Sequence, residues 1–284
     1  MTDWLLVHDE GAGLGHRQRL RALATSLEHR GIATAVGPIE TPLRAPRVII
    51  DSYRVRADDR DVVDAELTVA FDDLRRDLAV DVVIDPSPGA IECVHAAARR
   101  VLAGAQYAVV DPRVNDVTRC ELTDAVTRVL VTFGAADRAG LAAETAAEIV
   151  RLLPGAAVSL PVGSWWDGAV PAGVHALHVA DGLAPDLASS DLVVTAGGVT
   201  FLETLALGRP TVVVVTAENQ RIAAEHVAAS GAAVIATADA AAGEAVALAN
   251  DPARRRALAA RATELIDGRG ADRVAAEIAT IQAA

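Results

Sequence analysis

The sequence predicts an α/β protein built from two doubly wound, mostly parallel sheets, and three observations lead to this prediction. Short runs rich in valine, isoleucine and leucine alternate with longer helical stretches along the 284 residues. Hydrophobic residues make up 52% of the chain, which is enough to fill large cores. A polar stretch at 114–126 separates two such alternations, so we expect domains at residues 1–123 and 124–284. Two similar halves also predict an interdomain cleft that binds a ligand.

The first half alternates buried strands with amphipathic helices. Its strands are predicted at 4–8, 33–36, 48–51, 68–71 and 80–84, and its helices at 16–30 and 91–102. In the first helix, Leu20, Leu23 and Leu27 form the apolar stripe that a surface helix buries.

The second half repeats this pattern from residue 128 onwards. Its later strands are predicted at 158–160, 176–179, 192–195, 211–215 and 233–235. The last stretch, 252–284, is predicted to be helical with a break at Gly268 and Gly270, because glycine interrupts helices.

The charged residues exclude several functions. The chain has 38 acidic residues and 26 basic ones, all of them arginine, and its formal net charge is −12. An acidic chain without a basic block is not expected to bind nucleic acid. Because lysine is absent, there is no Schiff-base, Walker A or kinase-type lysine. Phosphate would therefore be bound by backbone N–H groups, hydroxyls or arginine.

The apolar runs and the chain start predict a cytoplasmic protein without stable membrane insertion. Residues 1–5 contain no basic segment followed by an apolar core, as a signal peptide would. Runs such as 211–216 have the length of a strand, whereas a membrane-spanning helix needs about 20 residues.

Asp72 and Asp73 are adjacent on a strand and point to opposite faces, so we expect no metal site. We also expect no cofactor.

The first candidate site is the glycine-rich turn after the first strand, where Gly11, Gly13 and Gly15 precede His16. Glycines let the backbone approach a ligand closely, and a helix N-terminus offers free N–H groups to an anion. A helix N-terminus also disfavours the imidazolium, so His16 is suited to act as a general base. Alternatively, His16 only caps the helix or packs locally.

The second candidate site follows the strand at 192–195, where Gly197 and Gly198 lead into a helix. The glycines and the helix N–H groups suit a phosphate, and Thr200 offers a hydroxyl. Glu203 lies about one turn further on the same face, where it can accept hydrogen bonds from the hydroxyls of a ribose. Alternatively, Thr200 and Glu203 form a capping box.

Three further elements are candidates for the same chemistry. Asn219 and Gln220 suit a sugar hydroxyl or an N-acetyl group, although Asn219 equally suits a helix N-cap. Gly134 lies in a turn that can line the site near the phosphates, or Asp137 in this turn only caps a helix. Tyr53 either hydrogen-bonds a reacting group or covers the sheet edge.

The order of these motifs resembles a known enzyme family. The motifs are Gly13-x-Gly15-His16-x-x-Arg19, Ile50-Asp51-x-Tyr53, Phe71-Asp72-Asp73, Gly104-x-x-Tyr107, Phe133-Gly134-x-x-Asp137, Ala196-Gly197-Gly198-x-Thr200-x-x-Glu203 and Asn219-Gln220. The order resembles the UDP-sugar hydrolases of the pseudaminic acid pathway (PseG type) and their spore-coat polysaccharide relatives (SpsG type). Those proteins share the GT-B architecture of MurG-type glycosyltransferases, with two Rossmann-like domains.

The resemblance implies an activity and a role for each matching residue. The family hydrolase removes UDP from UDP-2,4-diacetamido-2,4,6-trideoxy-β-L-altropyranose when water attacks the anomeric carbon with inversion. His16 would be the general base or orient the water, and Tyr53 would assist it. Glu203 would hold the ribose of the substrate, and the diphosphate would be held by Gly197, Gly198 and Thr200. The sugar or the β-phosphate would be bound by Asn219 and Gln220. The remaining contacts in the site would come from Gly13, Gly15, Arg19 and Gly134.

Two alternatives to a UDP-sugar hydrolase stay open. A GT-B glycosyltransferase would use the same UDP site and admit an acceptor hydroxyl in place of water. A sugar-nucleotide binding protein without catalysis is the second alternative. The N-terminal half has no apolar and basic cluster of the kind expected in a transferase that acts at a membrane, which favours the hydrolase. The partners of such a hydrolase would be the UDP-sugar and other enzymes of the same pathway.

Overall fold

The computed structural model describes residues 2–10, 14–134, 137, 140–163, 165–166, 168–179 and 182–282. The chain divides into two compact units, one formed by Met1–Val110 with Arg269–Ala284 and the other by Asp111–Gly268. These limits differ from those that the sequence suggests. The polar stretch at 114–126 belongs to the second unit, and the end of the chain returns to the first.

The first unit is built on a six-stranded parallel sheet. In chain order, the strands of this unit are β1 (Trp4–His8), β2 (Thr34–Pro38), β3 (Leu43–Arg44), β4 (Arg47–Asp51), β5 (Val63–Asp64), β6 (Leu67–Phe71), β7 (Val82–Asp85) and β8 (Arg100–Ala103). β3 and β5 pair with each other, and the other six strands form the sheet in the order β2-β1-β4-β6-β7-β8. The direction of this order changes between β1 and β4, and such switch points are where doubly wound sheets bind ligands.

One predicted helix of the first unit is wrong. Helix α1 (Leu14–Glu28) lies where the apolar stripe predicts it, but the segment at 91–102 forms a 3₁₀ turn (Glu92–His95) followed by β8. The alanines of this segment favour a helix locally. In the folded chain, however, the buried His95 contacts Asp85, and β8 pairs with β7, so tertiary contacts override the local preference.

The second unit contains a six-stranded parallel sheet with the order of a dinucleotide-binding domain. Its strands are β9 (Arg128–Thr132), β10 (Ala157–Val162), β11 (Val174–His178), β12 (Leu192–Ala196), β13 (Thr211–Val214) and β14 (Val234–Ala236). The order across the sheet is β11-β10-β9-β12-β13-β14, which corresponds to 3-2-1-4-5-6 within this unit. The switch point lies between β9 and β12.

Helices follow most strands of the second unit. They are α2 (Leu141–Leu152), α3 (Ala184–Ser189), α4 (Val199–Ala206), α5 (Glu218–Ala229), α6 (Ala241–Ala249) and α7 (Pro252–Leu265). Further 3₁₀ turns lie at Ala105–Tyr107 in the first unit and at Pro112–Asn115 in the second.

Helix α8 (Gly270–Gln282) completes the core of the first unit, although it comes last in the chain. Val274 and Ile278 are buried in one cluster with Leu20 and Leu23 of α1. Gly270 permits this close packing, because a Cβ atom there would lie 2.1 Å from the carbonyl oxygen of Ala108. The predicted break in the C-terminal helical region thus separates two helices that belong to different units.

Candidate functional site

Four neighbouring parallel strands of the first sheet end in buried aspartates. Asp51 and Asp85 are the last residues of β4 and β7, and Asp9 and Asp72 directly follow β1 and β6. All four carboxyl groups are buried, so each needs a partner to offset the loss of hydration. The partners of these four carboxyl groups organise the candidate site of this unit.

His16 and Arg19 project from α1 onto Asp51, at the switch point between β1 and β4. His16 Nδ1 lies 2.7 Å from Asp51 Oδ1. Arg19 donates from Nε to Asp51 Oδ2 at 2.8 Å and from Nη2 to Oδ1 at 2.5 Å, while its guanidinium carbon lies 4.4 Å from the centre of the Phe71 ring. The two side chains are three residues apart on one helix, so a single carboxylate can receive both.

Asp51 determines which nitrogen of His16 bears the proton. Burial opposes ionisation of Asp51, but the charge of Arg19 and the hydrogen bonds from His16 and Arg19 outweigh it and lower the pKa of Asp51 to about 2. An ionised carboxylate only accepts hydrogen bonds, so Nδ1 of His16 is the donor. In the neutral imidazole, Nε2 is then free to accept a proton, which is the arrangement of a general base oriented by a carboxylate.

Tyr53 and Asp73 complete the group of side chains around His16. The Tyr53 ring meets the His16 ring edge to face, with centroids 4.5 Å apart and an interplanar angle of 85°. The Tyr53 hydroxyl donates to Asp73 Oδ2 at 3.1 Å, and Arg19 Nη1 lies 3.5 Å from the same oxygen. Burial and the charge of Asp51 raise the pKa of Asp73 although Arg19 opposes this shift. Burial and Asp73 likewise raise the pKa of Tyr53.

Asp9 holds the backbone that presents Tyr53. Its carboxylate accepts a hydrogen bond from the Ser52 hydroxyl at 2.5 Å and from the Tyr53 N–H at 2.8 Å. The Ser52 hydroxyl oxygen in turn accepts from the Val55 N–H at 2.8 Å. The turn after β4 is therefore cross-linked to the end of β1, and the position of Tyr53 is set by buried hydrogen bonds.

The structure brings several sequence-predicted residues together and adds others. His16, Arg19 and Tyr53 lie in one group, Gly15 lies one residue before His16 in the first turn of α1, and Gly13 lies outside the described residues. The guanidinium of Arg19, expected at the substrate, is bound by Asp51 and Asp73. The site also contains Asp9, Asp51 and Asp73, to which the sequence pattern alone assigns no role of their own. A usable signal was that predicted strands repeatedly end in aspartate or are directly followed by one.

In the second unit, the predicted glycine turns lie on both sides of the switch point. Gly134 follows β9 with a φ of +81°, a conformation that favours glycine, and Gly197 and Gly198 follow β12. Gly198 is the N-cap of α4 and provides no side chain, so the first turn of this helix is open to an anion. The N-cap of α2 is Gly140 and not Asp137, although the Asp137 carboxylate accepts from the N–H groups of Leu141 and Ala142 in the first turn of this helix.

The boundary of α4 excludes one of the two roles considered for Glu203. Because the helix begins at Val199, Thr200 lies inside the first turn and is not the N-cap, and the capping box with Glu203 does not form. Glu203 is instead a buried carboxyl group, only 5% exposed, near Asp111. Burial and the negative charge of Asp111 raise the pKa of Glu203. The hydrogen bond from the Asp111 N–H and the charge of Arg113 lower it, but the raising causes outweigh them and the pKa is about 8.

Gln220 links the turns that follow β12 and β13. Its Oε1 accepts from the Gly197 N–H at 3.3 Å, the Thr216 N–H at 3.0 Å and the Thr216 hydroxyl at 3.1 Å. This amide oxygen is thus used by the protein, which leaves the Nε2 donor as the group that Gln220 can offer a ligand. Asn219 is the second residue of α5, whose N-cap is Ala217, so Asn219 is not the N-cap.

Metal-binding clusters and membrane-spanning helices are absent from the described residues. Among them, no group of three or more histidine, cysteine, aspartate or glutamate side chains is arranged to hold a metal ion. Asp72 binds Arg76 and Asp73 binds Tyr53, so the two adjacent carboxyl groups have different partners. No helix in the described part of the chain has the length and apolarity needed to cross a membrane.

Part of the second unit is similar to a known domain family. The glycosyltransferase family 28 C-terminal domain matches residues 167–264, which include the Gly197–Gly198 turn and Glu203. No curated protein matches the sequence.

Solved structures resemble the chain over almost its full length. The glycotransferase of kitacinnamycin is 18% identical with a TM-score of 0.64 and covers 98% of this chain and 99% of its own. MurG from Acinetobacter baumannii is 14% identical with a TM-score of 0.61, and the match covers 98% of this chain and 99% of MurG. A protein from Listeria monocytogenes described as a UDP-N-acetylglucosamine 2-epimerase is 12% identical with a TM-score of 0.56, over 98% and 96%. The fold of this chain is therefore the GT-B fold of glycosyltransferases, with two parallel-sheet domains.

Proposed function

We propose that this protein is a glycosyltransferase of the GT-B type that transfers a sugar from a nucleotide-sugar donor to an acceptor hydroxyl. The observation that carries this proposal is the match of the glycosyltransferase family 28 C-terminal domain to residues 167–264, which contain the switch-point turn at Gly197 and Gly198. A UDP-sugar is the donor that the sequence motifs suggest.

We assign the nucleotide to the second unit. The open first turn of α4 presents N–H groups to the diphosphate, and the Thr200 hydroxyl and Gln220 Nε2 add donors. All of these donors are neutral, and none of them is a lysine, because the chain contains no lysine. Glu203 would bind the ribose hydroxyls, because a carboxyl group both accepts and, when protonated, donates hydrogen bonds. Helix N–H groups would also stabilise the negative charge on the departing diphosphate.

We assign the proton transfer to the first unit. The acceptor oxygen forms a bond to the anomeric carbon of the sugar, and the C1–O bond to the diphosphate breaks with its electron pair on the leaving oxygen. The acceptor proton passes to Nε2 of His16, whose Nδ1–H is held by ionised Asp51. The Tyr53 ring beside His16 limits the orientation of the imidazole.

Hydrolysis of the same donor is the second candidate function, with water in the place of the acceptor. The observation that favours it is that His16, Asp51, Tyr53 and Asp73, which belong to the motifs that resemble UDP-sugar hydrolases, form one connected group. The sugar would then be a diacetamido-trideoxyhexose in nonulosonic acid or surface polysaccharide synthesis, and the neighbouring enzymes of that pathway would be partners.

One experiment separates these functions. The protein is incubated with a panel of UDP-sugars, with and without a mixture of sugar and aglycone acceptors, while free UDP is measured. Release of UDP that requires an acceptor, together with a glycosylated product, supports the transferase. Release at the same rate without an acceptor supports the hydrolase and contradicts the transferase. Binding of UDP-sugars without any release of UDP contradicts both and supports a binding protein.

Two variants test the assigned roles in the same assay. His16→Ala should abolish UDP release while the affinity for UDP stays unchanged, and Glu203→Ala should weaken UDP binding. Asp64→Ala serves as a control, because Asp64 is an exposed aspartate on β5 whose ion pair is with Arg44, a residue of neither candidate site.

A further inference from the structure

We propose that Asp73 is a positioning residue that fixes the Tyr53 hydroxyl and thereby keeps the Tyr53 ring against His16. This inference rests on the proposed function, because it assigns a task to a residue in the site of the proton transfer. It concerns a carboxyl group that has no role in the proposed mechanism.

The contacts of Asp73 differ from those of the neighbouring Asp51. Arg19 binds Asp51 through two short hydrogen bonds, at 2.8 and 2.5 Å, whereas its distance to Asp73 is 3.5 Å. The guanidinium therefore serves mainly as the counter-ion of Asp51. The shortest contact of Asp73 among the described residues is the 3.1 Å hydrogen bond from the Tyr53 hydroxyl.

The two carboxyl oxygens of Asp73 differ in their hydrogen bonding: Oδ2 accepts from the Tyr53 hydroxyl, and Oδ1 does not share this bond. Asp73 Oδ1 is buried and has no hydrogen-bond partner in the described part of the chain. Because Oδ1 has no hydrogen bond to offset its loss of hydration, the carboxyl group depends on the contacts that Oδ2 makes with Tyr53 and Arg19. The bond thus ties the tip of Tyr53, a residue that is 40% exposed, to a carboxyl group whose other oxygen is buried.

The consequence is a geometric link from Asp73 to the general base. The Tyr53 backbone is held by Asp9 and its hydroxyl by Asp73, so both ends of the side chain are fixed. A ring fixed at both ends packs its edge against His16 and restricts rotation of the imidazole. Asp73 itself acts on the proton transfer only through Tyr53.

The test compares Asp73→Asn with Asp73→Ala. Asparagine keeps an oxygen that accepts the Tyr53 hydroxyl but removes the charge, whereas alanine removes both. If Asp73 positions Tyr53, Asp73→Asn should preserve most of kcat, and Asp73→Ala should lower kcat by about tenfold or more with little change in KM. If Asp73 is only a counter-ion of Arg19, kcat should fall equally in both variants, which would overturn the proposal.

A double substitution tests the route of the effect. Asp73→Ala in a Tyr53→Phe background should cost no further activity, because the hydrogen bond is already lost. Additive losses from the two substitutions would show that Asp73 acts by another route. Asp64→Ala, at an exposed position of β5, is the matched control.

A second readout needs no turnover, so it separates this inference from the proposed function. The ring protons of His16, assigned in the NMR spectrum by their loss in His16→Gln, sense the Tyr53 ring. Their chemical shifts should move in Asp73→Ala and in Tyr53→Phe towards those of Tyr53→Leu, and stay near wild type in Asp73→Asn. Unchanged shifts in Tyr53→Phe, where the ring remains but the hydroxyl is gone, would overturn the proposal even if Asp73→Ala fails to fold.

Discussion

His16 Nδ1 lies 2.7 Å from Asp51 Oδ1, and Arg19 holds the same carboxylate through two further hydrogen bonds. The three side chains come from one helix and from the end of a neighbouring strand at the switch point of the first sheet. Because Arg19 keeps Asp51 ionised, the carboxylate can hold the imidazole in the form that accepts a proton at Nε2.

Replacing Asp51 by asparagine is therefore expected to reduce turnover by about 10²- to 10⁴-fold. The amide carries no charge to stabilise the imidazolium that forms in the reaction. The rate of UDP release measures the effect, and the Kd for UDP should change little because we assign the nucleotide to the second unit. Turnover within a few-fold of wild type would contradict the role of Asp51, provided that the variant unfolds at a similar temperature.

Glu203 should make the stability of the protein depend on pH. Its pKa is about 8 in the folded chain, mainly through burial, against 4.5 as the ordinary value. The folded chain therefore holds a proton that the unfolded chain releases, and this contribution to stability declines as the pH rises from about 4.5 to about 8.

Glu203→Gln removes this titration. We expect the free energy of unfolding of the variant, relative to wild type, to increase from about pH 5 to about pH 9, as measured by urea denaturation. The same variant should bind UDP more weakly, since it loses the carboxyl group assigned to the ribose. A difference in stability that does not vary with pH would show that Glu203 is not a buried titrating group.

His95 should also make the stability of the protein depend on pH, and in the same direction as Glu203. Burial disfavours its charged form, but the carboxyl groups of Asp72, 3.5 Å from Nδ1, and Asp85, 3.1 Å from Nε2, outweigh burial and raise the pKa of His95 to about 9 from 6.5. The stabilisation by protonated His95 is fully present below about pH 6.5 and is lost as the pH rises through about 9.

His95→Gln should cost about 3 kcal/mol of unfolding free energy near pH 6, because two buried carboxylates lose their cation. The cost should shrink above about pH 9, where wild type has itself lost the charge. His29→Gln is a suitable control, since His29 is exposed and its replacement should change stability by less than about 0.5 kcal/mol. An equal cost of His95→Gln at both pH values would disprove the buried imidazolium.

Gly197→Ala should disturb the link between the two turns of the second unit. A Cβ atom at Gly197 would lie 2.9 Å from the Cβ of Gln220, so Gln220 must shift and weaken its bonds to Gly197 and Thr216. We expect a loss of about 1–3 kcal/mol in stability and weaker UDP binding. Gly155→Ala, whose Cβ would meet open space in the same unit, should be nearly neutral, and equal effects of the two substitutions would contradict this steric argument.

The strands were predictable because buried parallel strands are continuous runs of valine, isoleucine and leucine, as in 192–196 and 211–214. The glycine turns that follow them were predictable because glycines stand between a predicted strand and a predicted helix, where the chain has to turn. The segment at 91–102 was predicted wrongly, since its alanines favour a helix while the contact of His95 with Asp85 is not visible in the local sequence.

The sequence by itself determined the α/β class, the glycine turns with His16 and Glu203 beside them, and Tyr53 at the end of a predicted strand, because these depend on short-range patterns. Only the tertiary structure decided that Asp51 orients His16, that Asp73 holds Tyr53 and that α8 belongs to the first unit. These relationships join residues that are 20 to 246 positions apart, as the Ser26–Asp272 hydrogen bond at α8 illustrates. Long-range burial and hydrogen bonding select such partners, and local propensity carries no information about them.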